Sequence, residues 1–143
     1  MQIVERSAIV GHSCAQMFAL VNDVARYPEF LPWCLSATVE VASANERIAT
    51  LKVERGMLRT AFTTRNMLEQ DSAILMRLVK GPFREFSGQW RFNAIGERGS
   101  RVNFRVEFEF KNPLTAAAFS AAFEALCGTL VGAFVTRAQK IYG

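Results

Sequence analysis

The stretch RVNFRVEFEF, from Arg101 to Phe110, alternates strictly between polar and apolar side chains. Side chains of a β-strand point alternately to opposite faces of the sheet, so this pattern predicts a strand with one dry face and one wet face. A sheet built from such strands must cover its dry face with a second layer of secondary structure. Any fold for this chain therefore has to supply that cover.

A long helix that follows this strand is the element that can supply it. Asn112 followed by Pro113 is a helix-start pattern, and the helix predicted from there runs to about Ile141, a length of about 40 Å. Glu124 is the only charged residue between Pro113 and Thr136, so the segment is also long enough to cross a bilayer. Its many small residues and the helical spacing of its larger apolar residues favour a buried helix of a soluble fold.

The remaining segments complete an α+β pattern. Gln2 to Val10 reads as a first strand, and Ser13 with Gln16 forms a capping-box pattern that predicts the start of two short helices. Alternating segments predict six further strands, at residues 35–43, 47–55, 58–68, 73–79, 85–95 and 101–110. We therefore predict a single domain over residues 1–143, in which a curved antiparallel seven-stranded sheet grips the long C-terminal helix.

Composition narrows the classes of function. A net charge of +4 without a basic run, an arginine-rich arm or zinc-finger spacing argues against sequence-specific DNA binding. Cys14, Cys34 and Cys127 are odd in number and far apart, which argues against a disulfide framework and against a metal site. Together with an N-terminal segment that reads as a strand and not as a signal peptide, these features predict a cytoplasmic protein.

The segment DVARYPEFLPWC, from Asp23 to Cys34, combines large apolar side chains with two prolines that prevent one regular helix or strand. In an antiparallel meander, this segment and three of the connections meet at one end of the sheet. The apolar residues predicted to gather there are Met57, Leu58, Phe83, Leu114, Phe30, Leu31 and Trp33. Two interpretations stay open, because these residues either plug the end of the core or border the mouth of an apolar cavity.

Side chains on the predicted inner surface are also compatible with either a filled core or a ligand cavity. The many small residues of the long helix allow either close packing against the sheet or a void that a ligand fills. If Phe62 points inward, Thr60, Thr64 and Asn66 share its face. Polar groups facing an apolar interior need partners, which a ligand, water or another side chain could supply.

Catalytic patterns are missing from the sequence. His12 is the single histidine and has no evident partner, and we find no nucleophile elbow, Cys–His pair, H-E-x-x-H or phosphate-binding glycine loop. Arg65 and Arg91 lie on predicted strands, where they either anchor an anionic group or face solvent. The sequence thus favours binding over catalysis, with no catalytic residue, catalytic cofactor or metal predicted.

Several of these segments carry a family resemblance. The motifs DVARYPEFLPWC, FTTRN, LVKGPFREFSGQWRF and FEFKNPL, with the closing RAQKIYG, resemble the coenzyme Q-binding START-like family over essentially the whole chain. That family includes the ribosome association toxin (RatA) group and is also labelled oligoketide cyclase/lipid transport. The resemblance implies a helix-grip (START/Bet v-like) fold with a hydrophobic tunnel between the sheet and the long helix.

What the resemblance implies for function is non-catalytic binding of a long hydrophobic ligand, above all ubiquinone or a related polyprenyl lipid, in support of respiratory electron transport. One alternative is a RatA-type toxin that binds the large ribosomal subunit and blocks 70S association. Its support in the residues is a set of arginines on strands that could face outward: Arg59, Arg65, Arg77, Arg91 and Arg105. A second alternative is a polyketide cyclase-like enzyme, for which no acid–base pair is found. A peripheral membrane contact at the inner face of the membrane is a further predicted interaction.

We assign the ligand-binding residues from the matching motifs and from the strand alternation that predicts which side chains point inward. The predicted cavity mouth consists of Tyr27, Pro28, Phe30, Leu31, Pro32, Trp33 and Phe83. The predicted cavity wall consists of Phe62, Trp90, Phe92, Phe104, Phe108, Phe119, Phe123 and Leu130.

Overall fold

A computed structural model describes residues 1–143 and confirms the predicted helix-grip class. A first strand is followed by an α-helix and a short 3₁₀ helix, and then by six strands and two α-helices. This is the expected order, except that the last helix is divided in two. The strands are β1 (Gln2–Val10), β2 (Cys34–Ser43), β3 (Glu46–Arg55), β4 (Leu58–Glu69), β5 (Ala73–Lys80), β6 (Phe83–Ile95) and β7 (Gly99–Phe110). The helices are α1 (Cys14–Asn22), the 3₁₀ helix (Val24–Glu29), α2 (Pro113–Gly128) and α3 (Leu130–Tyr142).

All seven strands form one antiparallel sheet in the order β1-β7-β6-β5-β4-β3-β2. Strands β2 to β7 form a meander, and β1 pairs with β7 in a register that runs from Gln2 opposite Phe108 to Val10 opposite Ser100. The first two strands in the chain therefore lie at opposite edges of the sheet. Helix α1 and the 3₁₀ helix make the crossing between them.

The inner face of the sheet carries the core, as the alternation of β7 predicts. Val102, Phe104, Val106, Phe108 and Phe110 are all buried. Helices α2 and α3 cover this face with side chains at helical spacing, which are Phe123, Leu126, Cys127, Val131, Phe134 and Ala138. The capping box at α1 is present as predicted, since the Ser13 hydroxyl accepts from the Gln16 amide and the Gln16 side chain accepts from the Ser13 amide.

The long helix differs from its prediction in two respects. It is divided at Thr129, whose side-chain hydroxyl donates to the Leu126 carbonyl at 2.8 Å. A hydroxyl that bonds back to the preceding turn competes with the regular helical ladder, which accounts for the division. In addition, most of the small residues face solvent instead of the sheet, including Ala117, Ala118, Ala121, Ala125 and Gly132. Bulk is therefore concentrated on the inner face of the helix.

By length and composition this helical region, Pro113–Tyr142, would be able to cross a membrane. Core helices of soluble proteins can have the same length and apolar composition. Here its large apolar residues pack on the sheet while most of its small residues face solvent, so the predicted buried helix is buried on one face only. The cytoplasmic localisation and the peripheral membrane contact stay predictions.

The segment with the two prolines folds as the 3₁₀ helix and a short extension onto helix α3. The Tyr27 hydroxyl donates to the Val21 carbonyl at 2.5 Å, and the Tyr27 ring meets the Phe134 ring edge-on with centroids 5.3 Å apart. The Arg137 guanidinium lies 4.8 Å from the Phe30 ring centroid and donates to a Glu29 carboxylate oxygen at 2.8 Å. These contacts fasten the segment to α3 and, through Val21, to α1.

Candidate functional site

An apolar cavity lies between the sheet and the helices. Its volume is about 70 Å³, and 16 of its 18 lining residues are hydrophobic. The lining comes from β3 to β7 on one side and from the 3₁₀ helix, α2 and α3 on the other. Of the seven apolar residues predicted to gather at one end of the sheet, only Trp33 lines this cavity, so the others do not border its mouth.

Five of the eight predicted wall residues line this cavity. These are Phe62, Trp90, Phe104, Phe123 and Leu130. The other three point inward but lie away from the cavity. Phe92 packs against Phe18 of α1 with ring centroids 6.0 Å apart, whereas Phe108 and Phe119 pack around Phe110. The alternation of side chains along the strands identified the inner face correctly. It carries no information on how far the cavity extends along each strand.

The predicted mouth residues occupy several different environments. Tyr27 and Trp33 line the cavity, and Leu31 is buried without lining it. Phe30 is half-buried against Phe134, and Pro28 and Pro32 are exposed. Tyr27 and Trp33 are themselves buried, so they form cavity wall and not a rim. The lining side chains with partial exposure are instead Leu51, Met76, Phe86 and Leu130.

Phe83, another predicted mouth residue, lies in a separate cluster of the core. Its side chain is 0% exposed and does not line the cavity. It belongs to a phenylalanine cluster near the start of α2, stacked on Phe110 with centroids 4.7 Å apart and packed against Phe123 at 5.2 Å. The turn that carries Phe83 does lie at the sheet end predicted for it, but the sheet is wide enough to separate this cluster from the 3₁₀ helix.

Some lining residues were not predicted. They are Val24, Ala49, Leu51, Met76, Phe86, Val106, Leu126, Cys127 and Phe134. Phe86 and Val106 share the inward parity of Trp90 and Phe104, so the same pattern could have identified them. Leu126, Cys127 and Phe134 lie on the helix face that carries Phe123 and Leu130. No comparable signal was available for Val24, whose position depends on how the 3₁₀ helix packs.

Two polar side chains, Thr64 and Asn66, lie within this apolar lining. Both project from the inner face of β4, in the register that the sequence left open, and they are 5% and 4% exposed. The Thr64 hydroxyl donates to the Asn66 carbonyl oxygen Oδ1 at 2.7 Å. Thr60, on the same strand face, is half-buried outside the cavity.

The lining carries no charge at neutral pH. It contains no Asp, Glu, His, Lys or Arg. Burial raises the pKa of the Cys127 thiol to about 12 and raises the pKa of the Tyr27 phenol above its usual value, so both groups stay protonated. No group of three or more His, Cys, Asp and Glu residues comes together anywhere in the chain. The cavity is thus suited to an uncharged apolar guest.

Comparison with known proteins identifies the family. Residues 10–135 match the sequence profile described as "Polyketide cyclase / dehydrase and lipid transport". The chain belongs to the polyketide cyclase/dehydrase and lipid transport family. A family member from Vibrio cholerae serotype O1, named "Ribosome association toxin RatA", is 43% identical over 143 residues, which is 100% of this chain and 99% of that protein.

One further relative and one solved structure are informative. A Xenopus laevis protein named "Coenzyme Q-binding protein COQ10 homolog B, mitochondrial" is 29% identical over 96% of this chain and 58% of that protein. The crystal structure of the ZhuI aromatase/cyclase from Streptomyces sp. R1128 has a TM-score of 0.87 at 16% identity, covering 99% of this chain and 96% of that chain. At that identity the second likeness shows the shared fold alone.

The outer face of the sheet carries the arginines that the sequence predicts to face outward. Arg59 and Arg65 form ion pairs with Glu54 and Glu46 at 2.9 and 2.6 Å, and Arg105 pairs with Glu107 at 2.5 Å. Arg77 and Arg91 form no ion pair. Arg77 lies directly across from Arg65 in the β4–β5 register, which places two like charges side by side.

Proposed function

We propose that this protein binds a long apolar small molecule, of the polyprenyl quinone class, in the cavity between the sheet and the helices. The observation that carries the proposal is the cavity itself, with an uncharged and almost wholly hydrophobic lining. Burial of apolar surface is worth about 25 cal/mol per Å², so an isoprenoid chain needs no special chemistry to bind there. The coenzyme Q-binding relative supports the quinone class.

Occupation by such a ligand requires the cavity to widen. Its volume of about 70 Å³ is less than half of the roughly 150 Å³ that accommodates benzene in an engineered protein cavity. We expect the partly exposed lining residues Leu51, Phe86 and Leu130 to move, together with the 3₁₀ helix, because fewer neighbours hold them. Binding therefore combines apolar burial with a local rearrangement of the lining.

Titration with decylubiquinone tests this proposal. Both tryptophans of the chain, Trp33 and Trp90, line the cavity, so a quinone bound there should quench most of the intrinsic fluorescence in a saturable manner. Ala49→Leu adds bulk to the buried lining and should weaken binding at least tenfold, whereas Ala61→Leu makes the same change on the exposed face of β4. Absence of saturable quenching in the unmodified protein would overturn the proposal.

Association with the large ribosomal subunit is a second candidate function, favoured by the RatA-named relative at 43% identity over the whole chain. On this proposal, the outer face of the sheet contacts ribosomal RNA. Arg77 and Arg91 are free to neutralise phosphates because no carboxylate engages them, and such contacts weaken as salt rises. Apolar-ligand binding and ribosome association use opposite faces of the sheet, so they do not exclude each other.

Sedimentation of ribosomes in sucrose gradients tests the second candidate. We expect micromolar protein to shift 70S particles toward free subunits, and an Arg77→Ser/Arg91→Ser double variant to lose this effect. Arg98→Ser is a matched control, because Arg98 is also exposed but lies in the turn between β6 and β7. Unchanged 70S particles in the presence of the unmodified protein would rule this candidate out.

A further inference from the structure

The lining of the cavity contains hydrogen-bond donors for which the chain provides no acceptor. Asn66 is 96% buried, since only 4% of its surface is exposed. Its Oδ1 accepts the Thr64 hydroxyl at 2.7 Å, whereas its Nδ2 amino group makes no hydrogen bond within the chain. A neutral donor that borders an apolar cavity without a partner favours a guest that supplies an acceptor.

The other polar groups of the lining do not relieve this shortage of acceptors. The Tyr27 hydroxyl donates to the Val21 carbonyl and is thereby directed away from the cavity. The indole nitrogens of Trp33 and Trp90 are further donors without a hydrogen bond in the chain, and both residues line the cavity. These side-chain N–H groups are neutral hydrogen-bond donors, so they favour a guest that carries a hydrogen-bond acceptor.

Neighbouring residues fix the position of the donor. Asn66 lies opposite Met76 of β5, and Met76 lies opposite Gly88 of β6. A side chain at Gly88 would approach the Met76 methyl group to 2.6 Å, so the glycine leaves the space that the Met76 side chain occupies. Thr64, two residues away on the same strand face, holds the Asn66 carboxamide from the other side. The amide group is thus positioned at the cavity, and not free to turn toward solvent.

We infer that Asn66, oriented by Thr64, determines specificity by selecting uncharged apolar ligands that carry a hydrogen-bond-accepting oxygen such as a carbonyl. This inference rests on the proposed apolar-ligand function and adds the chemistry of the headgroup. An ionised carboxylate or phosphate headgroup is disfavoured because no cationic side chain lines the cavity to compensate for its desolvation. A pure hydrocarbon is disfavoured because it leaves the Asn66 amino group without an acceptor.

Three ligands with ten-carbon chains, counting the carboxyl carbon of decanoate, separate these possibilities: decylubiquinone, decylbenzene and decanoate. Competition or calorimetric titration of the unmodified protein should give an affinity for decylubiquinone about tenfold or more above that for decylbenzene, the effect of one satisfied hydrogen bond in an apolar site. Decanoate should bind more weakly than either at neutral pH. This comparison needs no variant, so it stays decisive even where a substitution disturbs folding.

A variant then assigns the preference to Asn66. Asn66→Leu should bind decylubiquinone and decylbenzene with affinities within about twofold of each other, because the donor is gone while the apolar lining remains. Met67→Leu is the matched control on the exposed face of the same strand and should keep the preference. Thr64→Val should reduce the preference, since it removes the group that orients the carboxamide.

The outcomes distinguish this inference from the function on which it rests. If the unmodified protein binds decylubiquinone and decylbenzene equally well, the role of Asn66 is wrong and apolar-ligand binding stands. If decanoate binds as tightly as decylubiquinone, the requirement for an uncharged headgroup is wrong. If none of the three ligands binds, the proposed function fails and the inference fails with it.

Discussion

At the scale of single residues, Gly81 shows how closely the chain packs beside the cavity. Its backbone has φ of +157°, and a Cβ at this position would lie 2.8 Å from the Cβ of Phe62. Phe62 in turn lines the cavity, so the glycine in the turn before β6 allows a cavity-wall residue to sit against the backbone. Because the backbone of Gly81 lies so close to Phe62, this position has no room for a side chain.

We expect Gly81→Ala to lower the free energy of unfolding by about 1–3 kcal/mol, because the added methyl group overpacks Phe62 and the backbone conformation disfavours a side chain. Chemical denaturation measures the change. Gly132→Ala is the matched control, since nothing lies within 4 Å of the added atom in helix α3, and alanine there should be neutral or stabilising. Equal destabilisation by both substitutions would contradict this account.

Residue-level patterns also set the limit of what the sequence could predict about the site. Alternation placed Phe62, Trp90 and Phe104 on the inner face, and the structure finds all three at the cavity. The same rule also selected Phe92 and Phe108, which only pack, because periodicity reports a face and not a depth along the strand. Whether Thr64 and Asn66 pointed inward depended on strand register, which the short polar run in β4 does not fix.

At the scale of elements, the 3₁₀ helix is a part of the cavity wall that polar and aromatic contacts hold to α3. It is fastened to α3 through Arg137, which contacts both Glu29 and Phe30. The arginine side chain is 11% exposed and its Nε atom has no partner, so Arg137 contributes two interactions of moderate strength beside the ring contacts of Tyr27 and Phe30 with Phe134. Each is worth roughly 0.5–1 kcal/mol at partly exposed sites.

We expect Arg137→Met to loosen this element without unfolding the sheet. The amides of Phe30 and Leu31 both donate to the Tyr27 carbonyl, and their hydrogen exchange should accelerate several-fold in the variant. Arg59→Met removes a separate, more exposed ion pair with Glu54 on β3, and it should leave those two amides unchanged. Unaltered exchange at Phe30 and Leu31 in the Arg137 variant would show that the segment is held in another way.

Element boundaries were largely accessible from the sequence, and the exceptions have physical causes. Predicted strands agree with the observed ones to within a few residues, because strict alternation and turn residues mark their ends. The division of the long helix at Thr129 was not predicted. It arises from one side-chain hydrogen bond to Leu126, and helical periodicity continues across it.

At the scale of the whole molecule, stability should depend on pH through groups that the fold keeps protonated. Burial raises the pKa of Cys34 from 9.0 to about 11 and that of Cys127 from 9.0 to about 12. Above pH 9 the unfolded chain releases these protons and the folded chain retains them, so a rise in pH favours unfolding. The contribution is fully present below pH 9 and is lost as the pH rises toward the folded values.

We therefore expect the free energy of unfolding to be constant between pH 7 and pH 8.5 and to fall between pH 9 and pH 10.5, measured by urea denaturation under reducing conditions. A Cys127→Ala variant should show a shallower fall over the same range, because one of the two thiols is absent. A free energy that rises with pH across this range would contradict the assigned burial of the thiols.

The order of elements along the chain has a consequence for biosynthesis. All seven strands precede helices α2 and α3, yet those helices provide the cover for the inner face of the sheet. A nascent chain emerging from the exit tunnel thus presents its phenylalanine-rich strands before their cover has been translated. Cotranslational folding of the sheet has to wait until helices α2 and α3 have emerged, so chaperones at the ribosome should engage this chain longer than one whose covering helix is made first.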